Sequence, residues 1–318
     1  MFKAVTVRID MWLNGGRQPF AAKVIIGQVC HRCSMRRFYF IGVTLFICTL
    51  AFAGVTQAAD SEAERIAATH AEDEPVATPV ATAAPAQRVD GREAIYTKQD
   101  GEEIKGWLSW PAGKPMTGLP GVIVIHEWWG LNDNIRQTSE RLAAEGYVTL
   151  AVDLYQGEIA ETPKAAMKLM QGLNADADVG RENLAAAYEY LHEGMGLAKV
   201  GVVGWCLGGR WSLQAALRLP DDIAASVIYY GGVTDDKVQL DTLQMPILGH
   251  FAAKDPIVPP DTVIAFRAAL DDLGKDANIY IYPNTKHAFS NPSGLAYNKE
   301  AADLAWERTV GFLGENLQ

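Results

Sequence analysis

Gly204-Trp205-Cys206-Leu207-Gly208-Gly209 constrains this chain more than any other stretch of it. An apolar run, Lys199–Val203, precedes it, and an amphipathic stretch, Gly209–Leu219, follows. A strand that turns sharply into a helix around a single reactive residue needs glycines beside that residue. Larger side chains there would collide with the packed strand and helix. The pattern places Cys206 at a nucleophile elbow with its sulfur at a helix N-terminus, where the helix dipole favours a thiolate.

The surrounding sequence repeats the strand–helix alternation. Val122–Ile125, Tyr147–Val152, Lys199–Val203, Ala225–Tyr230, Pro246–Phe251 and Asn278–Tyr282 read as buried strands. Helices are expected around 134–145, 163–172, 178–193, 209–219, 261–273 and 299–314. Continuous apolar strands separated by helices predict an α/β fold, a mostly parallel sheet with helices on both faces. Residues 92–110 read as an antiparallel hairpin at its edge. Hydrophobic residues make up 49% of the chain, enough for a substantial core. A net charge of −10 argues against a nucleic-acid partner.

That charge is unevenly spread. Residues 1–59 carry a net +6, which leaves −16 on the remainder. Within this basic start, Met35-Arg36-Arg37 precedes an apolar run, Phe38–Ala53, and a small-residue exit, Gly54-Val55-Thr56-Gln57-Ala58-Ala59. This is the order of an export signal, with cleavage expected after Ala58 or Ala59. The apolar run is shorter than the roughly 20 residues of a spanning helix. The expectation is a periplasmic or secreted protein without a stable membrane anchor after cleavage. Residues 1–34 read as a mis-called extension ahead of a start at Met35, residues 35–59 as the signal peptide, and residues 60–90, rich in Ala, Pro, Thr and acidic residues, as a disordered linker. Residues 91–318 form the expected folded domain. Removal of Cys30, Cys33 and Cys48 with the leader leaves Cys206 as the sole thiol. Cys30-His31-Arg32-Cys33 is half a metal or redox motif at most.

Catalytic partners are expected in the order nucleophile, acid, histidine. Asp255 follows the strand 246–251 and His287 follows the strand 278–282. Both therefore belong at strand C-termini, where open α/β sheets place their sites. His287 can move the thiol proton, and Asp255 can orient the imidazole. Backbone N–H groups of Leu207 and of Trp128, in the loop His126-Glu127-Trp128-Trp129-Gly130, are candidates for an oxyanion hole. A carboxylate in that loop opposes an oxyanion, so Glu127 needs a task of its own, such as control of the cysteine proton. Trp128 and Trp129 belong either to the core or to the wall of a substrate pocket. His70, His192 and His250 lack a comparable setting and read as non-catalytic. No histidine follows His126-Glu127 at helical spacing, so no metal and no cofactor are expected.

These segments together resemble the dienelactone hydrolase family of the α/β-hydrolase fold. The resemblance rests on His126-Glu127-Trp128-Trp129-Gly130-Leu131, Asp153-Leu154-Tyr155, Gly204–Gly209, Lys254-Asp255-Pro256-Ile257-Val258 and His287-Ala288-Phe289. It implies a Cys206–His287–Asp255 triad, with Glu127 holding the resting thiol, and hydrolysis of a small-molecule ester or lactone through a thioester. Family members that cleave dienelactones hold the substrate carboxylate with arginines. One of those positions, four residues past the catalytic histidine, is Asn291 here; Lys164 and Arg181 are candidates for the other. An anionic dienelactone is therefore expected to be a weaker substrate than compact neutral esters. A non-catalytic small-molecule binder and a redox-active thiol protein are the competing readings. The complete set of triad side chains opposes the first, and the absence of a resolving cysteine opposes the second.

Overall fold

The computed structural model describes residues 6–7, 24–25, 65–73, 77–78, 81 and 83–318. The chain divides into two units, Met1–Gln57 and Ala58–Gln318. In the first, β1 (Thr6–Val7) pairs antiparallel with β2 (Val24–Ile25). The expected export signal and the Cys30–Cys33 stretch lie outside the described residues.

The second unit is built on one eight-stranded sheet. Its first strands are β3 (Val89–Gln99) and β4 (Glu102–Pro111), the expected antiparallel hairpin. Then follow β5 (Gly121–Ile125), α1 (Asp133–Ala144), β6 (Val148–Val152), α2 (Pro163–Ala175), α3 (Ala177–Glu189) and a π-helical turn, Tyr190–Gly194. The C-terminal half runs β7 (Val200–Trp205), α4 (Leu207–Arg218), β8 (Ile223–Tyr229), α5 (Lys237–Leu240), β9 (Ile247–Ala252), α6 (Pro260–Asp272), β10 (Ala277–Tyr282) and α7 (Lys299–Leu317). Strand order is β10-β9-β8-β7-β5-β6-β4-β3, parallel from β10 through β6, with β4 pairing antiparallel to β6.

Local sequence sets the helix starts. The Asn132 side chain accepts from the Ile135 N–H at the head of α1, and Thr162 caps α2 just before Pro163. Val122, Ile123, Val124 and Ile125 are fully buried, as both faces of a helix-covered parallel sheet require. Each such side chain contributes roughly 1.5–3 kcal/mol by leaving water. Two layers of core result. One gathers around Leu108, Leu184 and Phe266, and the other, under α1 and α7, around Tyr147, Phe289 and Leu313.

Two features depart from the sequence reading. The short α5 was not expected. More consequential is the stretch 60–90: residues 65–69 form a helical turn, and Ile66 and His70 are buried against the domain. Composition suggested too little apolar surface there to fold, but one isoleucine and one histidine docked onto a preformed surface suffice to seat it. The Thr78 hydroxyl donates to the Pro292 carbonyl at 3.0 Å, and the Leu295 N–H donates to Asp73 Oδ1 at 3.3 Å. Among the described residues no helix is long and apolar enough to cross a membrane.

Candidate active site

Cys206 sits between β7 and α4 with φ +54° and ψ −115°, a conformation that side chains avoid. The turn survives because its neighbours are glycines. A Cβ on Gly204 would lie 2.0 Å from the Gly208 carbonyl oxygen, and one on Gly208 would lie 2.3 Å from the Ile125 oxygen. The Cys206 N–H donates to the Tyr229 carbonyl at 3.0 Å, which fastens the elbow to β8. Leu207 opens α4, so its N–H is among the first four of the helix, which have no intrahelical acceptor.

His287 and Asp255 come from the loops after β10 and β9. These loops are tied together, the Lys254 N–H donating to the Thr285 carbonyl at 2.9 Å. His287 Nδ1 and Asp255 Oδ2 are 2.7 Å apart, both side chains essentially removed from solvent. The other oxygen of Asp255 accepts from the Ile257 and Val258 N–H groups at 2.8 and 3.0 Å. The carboxylate is thus fixed before it meets the imidazole. Tyr230, at the end of β8, packs edge-on against the His287 ring at 5.2 Å. The structure places His287 between Asp255 and the sulfur of Cys206.

His70 was read as non-catalytic, yet it stands in this site. The linker assignment hid it. Its Nδ1 is 2.6 Å from Asp73 Oδ2, and its ring lies 5.1 Å from Trp128 and 5.5 Å from His287. One donor atom from each of His70, Cys206 and His287 falls within 4.8 Å of the others. A histidine three residues before an aspartate was the only signal in the sequence, and it is common on helix surfaces. His250 and His192, also read as non-catalytic, make contacts of their own away from the cysteine. His250 is buried between the Tyr282 and Thr309 hydroxyls, and His192 stacks on Tyr188.

Glu127 is held from two sides. The His126 ring bridges its backbone, Nδ1 to the Glu127 carbonyl at 2.6 Å, while Nε2 accepts from the Leu154 N–H at 3.1 Å. Glu127 Oε2 accepts from the Asn291 side-chain amide at 2.6 Å. Asn291 is therefore a partner of the glutamate, and its carbonyl oxygen accepts from the Ser293 N–H. Trp128 and Trp129 are both in the core, their rings 4.8 Å apart.

A narrow cleft opens at the cysteine. Ile66, Met170, Leu207, Arg210, Ile257 and Val258 line it with Cys206 and His287. Neither Trp129 nor Asn291 is on that wall. Lys164 is exposed and Arg181 pairs with Asp178. The cation on the wall is Arg210, whose guanidinium bonds Asn174. Position 210 falls one helical turn after the nucleophile, and the pattern of the elbow could have singled it out.

Charge in the site favours an ionised sulfur. Burial pushes the Cys206 thiol up, but the charge of His287 and the proximity of His70 outweigh it and draw it down to about 6. Burial opposes a charge on His287; Cys206 and Asp255 overcome this and raise it to about 10. Glu127 is pushed up to about 7, first by burial and then by the neighbouring sulfur. These directions favour a proton on imidazole over one on sulfur near neutral pH, chiefly through His287 and secondarily through His70.

A parallel sheet with a cysteine elbow, and an acid and a histidine at the C-terminal ends of later strands, defines the α/β-hydrolase class. Within it, residues 104–317 match the model of the dienelactone hydrolase family, and this chain belongs to that family. It is a hydrolase acting on ester bonds. It is 36% identical over 232 residues to Protein usf of Aquifex pyrophilus, covering 71% of this chain and 99% of that protein. It is also 33% identical over 259 residues to a Saccharolobus solfataricus protein provisionally named carboxymethylenebutenolidase, covering 69% and 96%. Among solved structures, a dienelactone hydrolase-like promiscuous phosphotriesterase from metagenomic libraries superposes with TM-score 0.66 at 26% identity, over 72% of this chain and 99% of that one.

Proposed function

We propose that the chain hydrolyses small esters or lactones through a thioester on Cys206. The observation that carries this reading is the strained elbow cysteine beside a buried His287–Asp255 pair. The Cys206 thiolate attacks the carbonyl carbon, and the oxyanion is received by the Leu207 and Trp128 N–H groups. The His287 imidazolium gives its proton to the leaving alkoxide. The same ring, now neutral, takes a proton from the water that cleaves the thioester, and Asp255 stabilises its charged form. A substrate carboxylate would meet Arg210, not position 291. The test is turnover of a short-chain aryl ester with mass spectrometry of the quenched enzyme. Acylated Cys206, and loss of turnover in Cys206→Ala, are expected. Undiminished turnover in Cys206→Ala would overturn the mechanism, and ligand binding without turnover in the wild type would favour the binding-protein reading.

We further infer export, with processing after Ala58 or Ala59. The basic, apolar and small-residue order of 35–59 supports it. N-terminal sequencing of protein recovered outside the cytoplasm checks it; an intact leader there would refute it.

A further inference from the structure

Each of the two histidines at Cys206 is arranged like a metal ligand. His287 presents Nδ1 to Asp255 at 2.7 Å, and His70 presents Nδ1 to Asp73 at 2.6 Å. A carboxylate on Nδ1 orients the ring so that Nε2 faces the cysteine and, once deprotonated, offers its lone pair to a ligand, the usual support of a metal-binding imidazole. Both Nε2 atoms are buried, and among the described residues neither has a hydrogen-bond partner. His70 is 4% exposed and His287 1%, so water does not readily satisfy either nitrogen. The third donor, Cys206, is buried too, and the three donor atoms lie within 4.8 Å of one another. In a tetrahedral zinc site the corresponding edges are roughly 3.4–3.6 Å, so closing the set moves side chains by little more than about 1 Å.

We propose that Cys206, His70 and His287 form a binding site for a thiophilic divalent cation of the zinc type, and that its occupancy reversibly blocks the hydrolase. Two imidazoles and a thiolate suit zinc and its neighbours and are unsuited to calcium or magnesium. The ion would form bonds to sulfur and to both Nε2 atoms, releasing to solvent whatever protons those atoms carry and keeping its fourth position for water. No oxidation change is involved. The sulfur lone pair needed for attack is then held by the metal, as is the nitrogen that moves the proton. The site exists only while the segment carrying His70 is docked, which makes residues 65–73 a determinant of metal sensitivity. The blocking clause rests on the thioester mechanism proposed above; the binding clause does not.

The test uses the full chain with Cys30, Cys33 and Cys48 replaced by serine, so that Cys206 is the only thiol, reduced and confirmed by thiol titration. Cobalt(II) is the probe, because a thiolate ligand gives it a charge-transfer absorption in the near ultraviolet. One cobalt per chain is expected, displaced by zinc. Cys206→Ser should abolish the band. His70→Phe keeps a ring against Trp128 and should weaken cobalt binding at least tenfold, with circular dichroism reporting the fold. Absence of the band at millimolar cobalt, its persistence in Cys206→Ser, or unchanged affinity in a folded His70→Phe would each overturn the site. Zinc inhibition of ester turnover, reversed by a chelator and weakened in His70→Phe, reads the second clause. Cobalt binding by a chain that turns over no ester would break the hydrolase reading and leave the metal site standing.

Discussion

Two histidine–aspartate pairs face one cysteine, and they are built differently. The Asp255–His287 pair hangs from the ends of β9 and β10, its carboxylate fixed by two backbone N–H groups and its side chains sealed from solvent. The Asp73–His70 pair has an equally short contact, yet rides on a segment outside the sheet. Its carboxylate is 11% exposed and, among the described residues, is met by one backbone N–H, that of Leu295. Equal hydrogen-bond lengths therefore conceal unequal rigidity. A pair fixed by the sheet holds its imidazole against the recoil of a reaction, as catalysis requires. A pair on a segment outside the sheet places a second imidazole beside the sulfur through fewer backbone ties.

The largest break in this comparison is expected from the histidines themselves. His287→Ala should lower kcat/KM by about 10³–10⁴, the usual worth of a general acid–base with its orienting partner. His70→Ala should cost about tenfold or less, since it only removes stabilisation of the thiolate. Steady-state kinetics on a neutral aryl ester decides. Equal losses would make His70 a second acid–base and dissolve the distinction.

The aspartates come next. Asp255→Asn should lower kcat by about 10²–10⁴ with little change in KM, since the wrong tautomer is then presented to the sulfur. Asp73→Asn should change kcat far less and make residues 65–73 more accessible to proteolysis. Comparable kcat losses, with unchanged protease sensitivity, would show that this segment is as catalytic as the loops.

The pH profile sharpens the contrast. With Cys206 drawn to about 6 and His287 raised to about 10, the reactive thiolate–imidazolium pair exists between those values. The rate should rise as pH climbs through about 6, where the thiol ionises, and fall near 10, where His287 loses its proton. His70→Phe removes a positive neighbour, so the acid limb should move to higher pH while the alkaline limb stays set by His287. An unmoved acid limb would separate His70 from the charge on sulfur.

The same contrast explains what could be read in advance. Strands ending at Trp205, Ala252 and Tyr282 are continuous apolar runs, and Cys206, Asp255 and His287 follow them at the edge where such sheets react. Periodicity, glycines and residue order were sufficient because one local pattern governs each placement. His70 was illegible for the opposite reason. Its place depends on tertiary docking of one isoleucine and one ring in a polar, proline-containing stretch, which leaves no periodic trace. Asn291 shows a third case: it was read as a substrate-binding position, and its partner, Glu127, lies 164 residues away, which only the fold reveals.

Glu127 yields the finest test. It is the one acidic group in the site assigned to neither histidine, held by Asn291 rather than by the thiol. Its carboxyl is raised to about 7 by burial and then by Cys206. The coupling is mutual: a carboxylate here must also disfavour the thiolate. Below about pH 7 Glu127 becomes protonated and its opposition fades; above it, the carboxylate works against a sulfur that two imidazoles already hold ionised. Glu127→Gln keeps the shape and an amide against Asn291 while deleting the charge. Since Glu127 is already largely protonated where the thiol ionises, the thiol midpoint should stay near 6, and iodoacetamide should react at a similar rate near pH 6 and only slightly faster above about pH 7. A midpoint that falls by a unit or more would show that the carboxylate is charged where the thiol ionises and shares control of it with the two histidines.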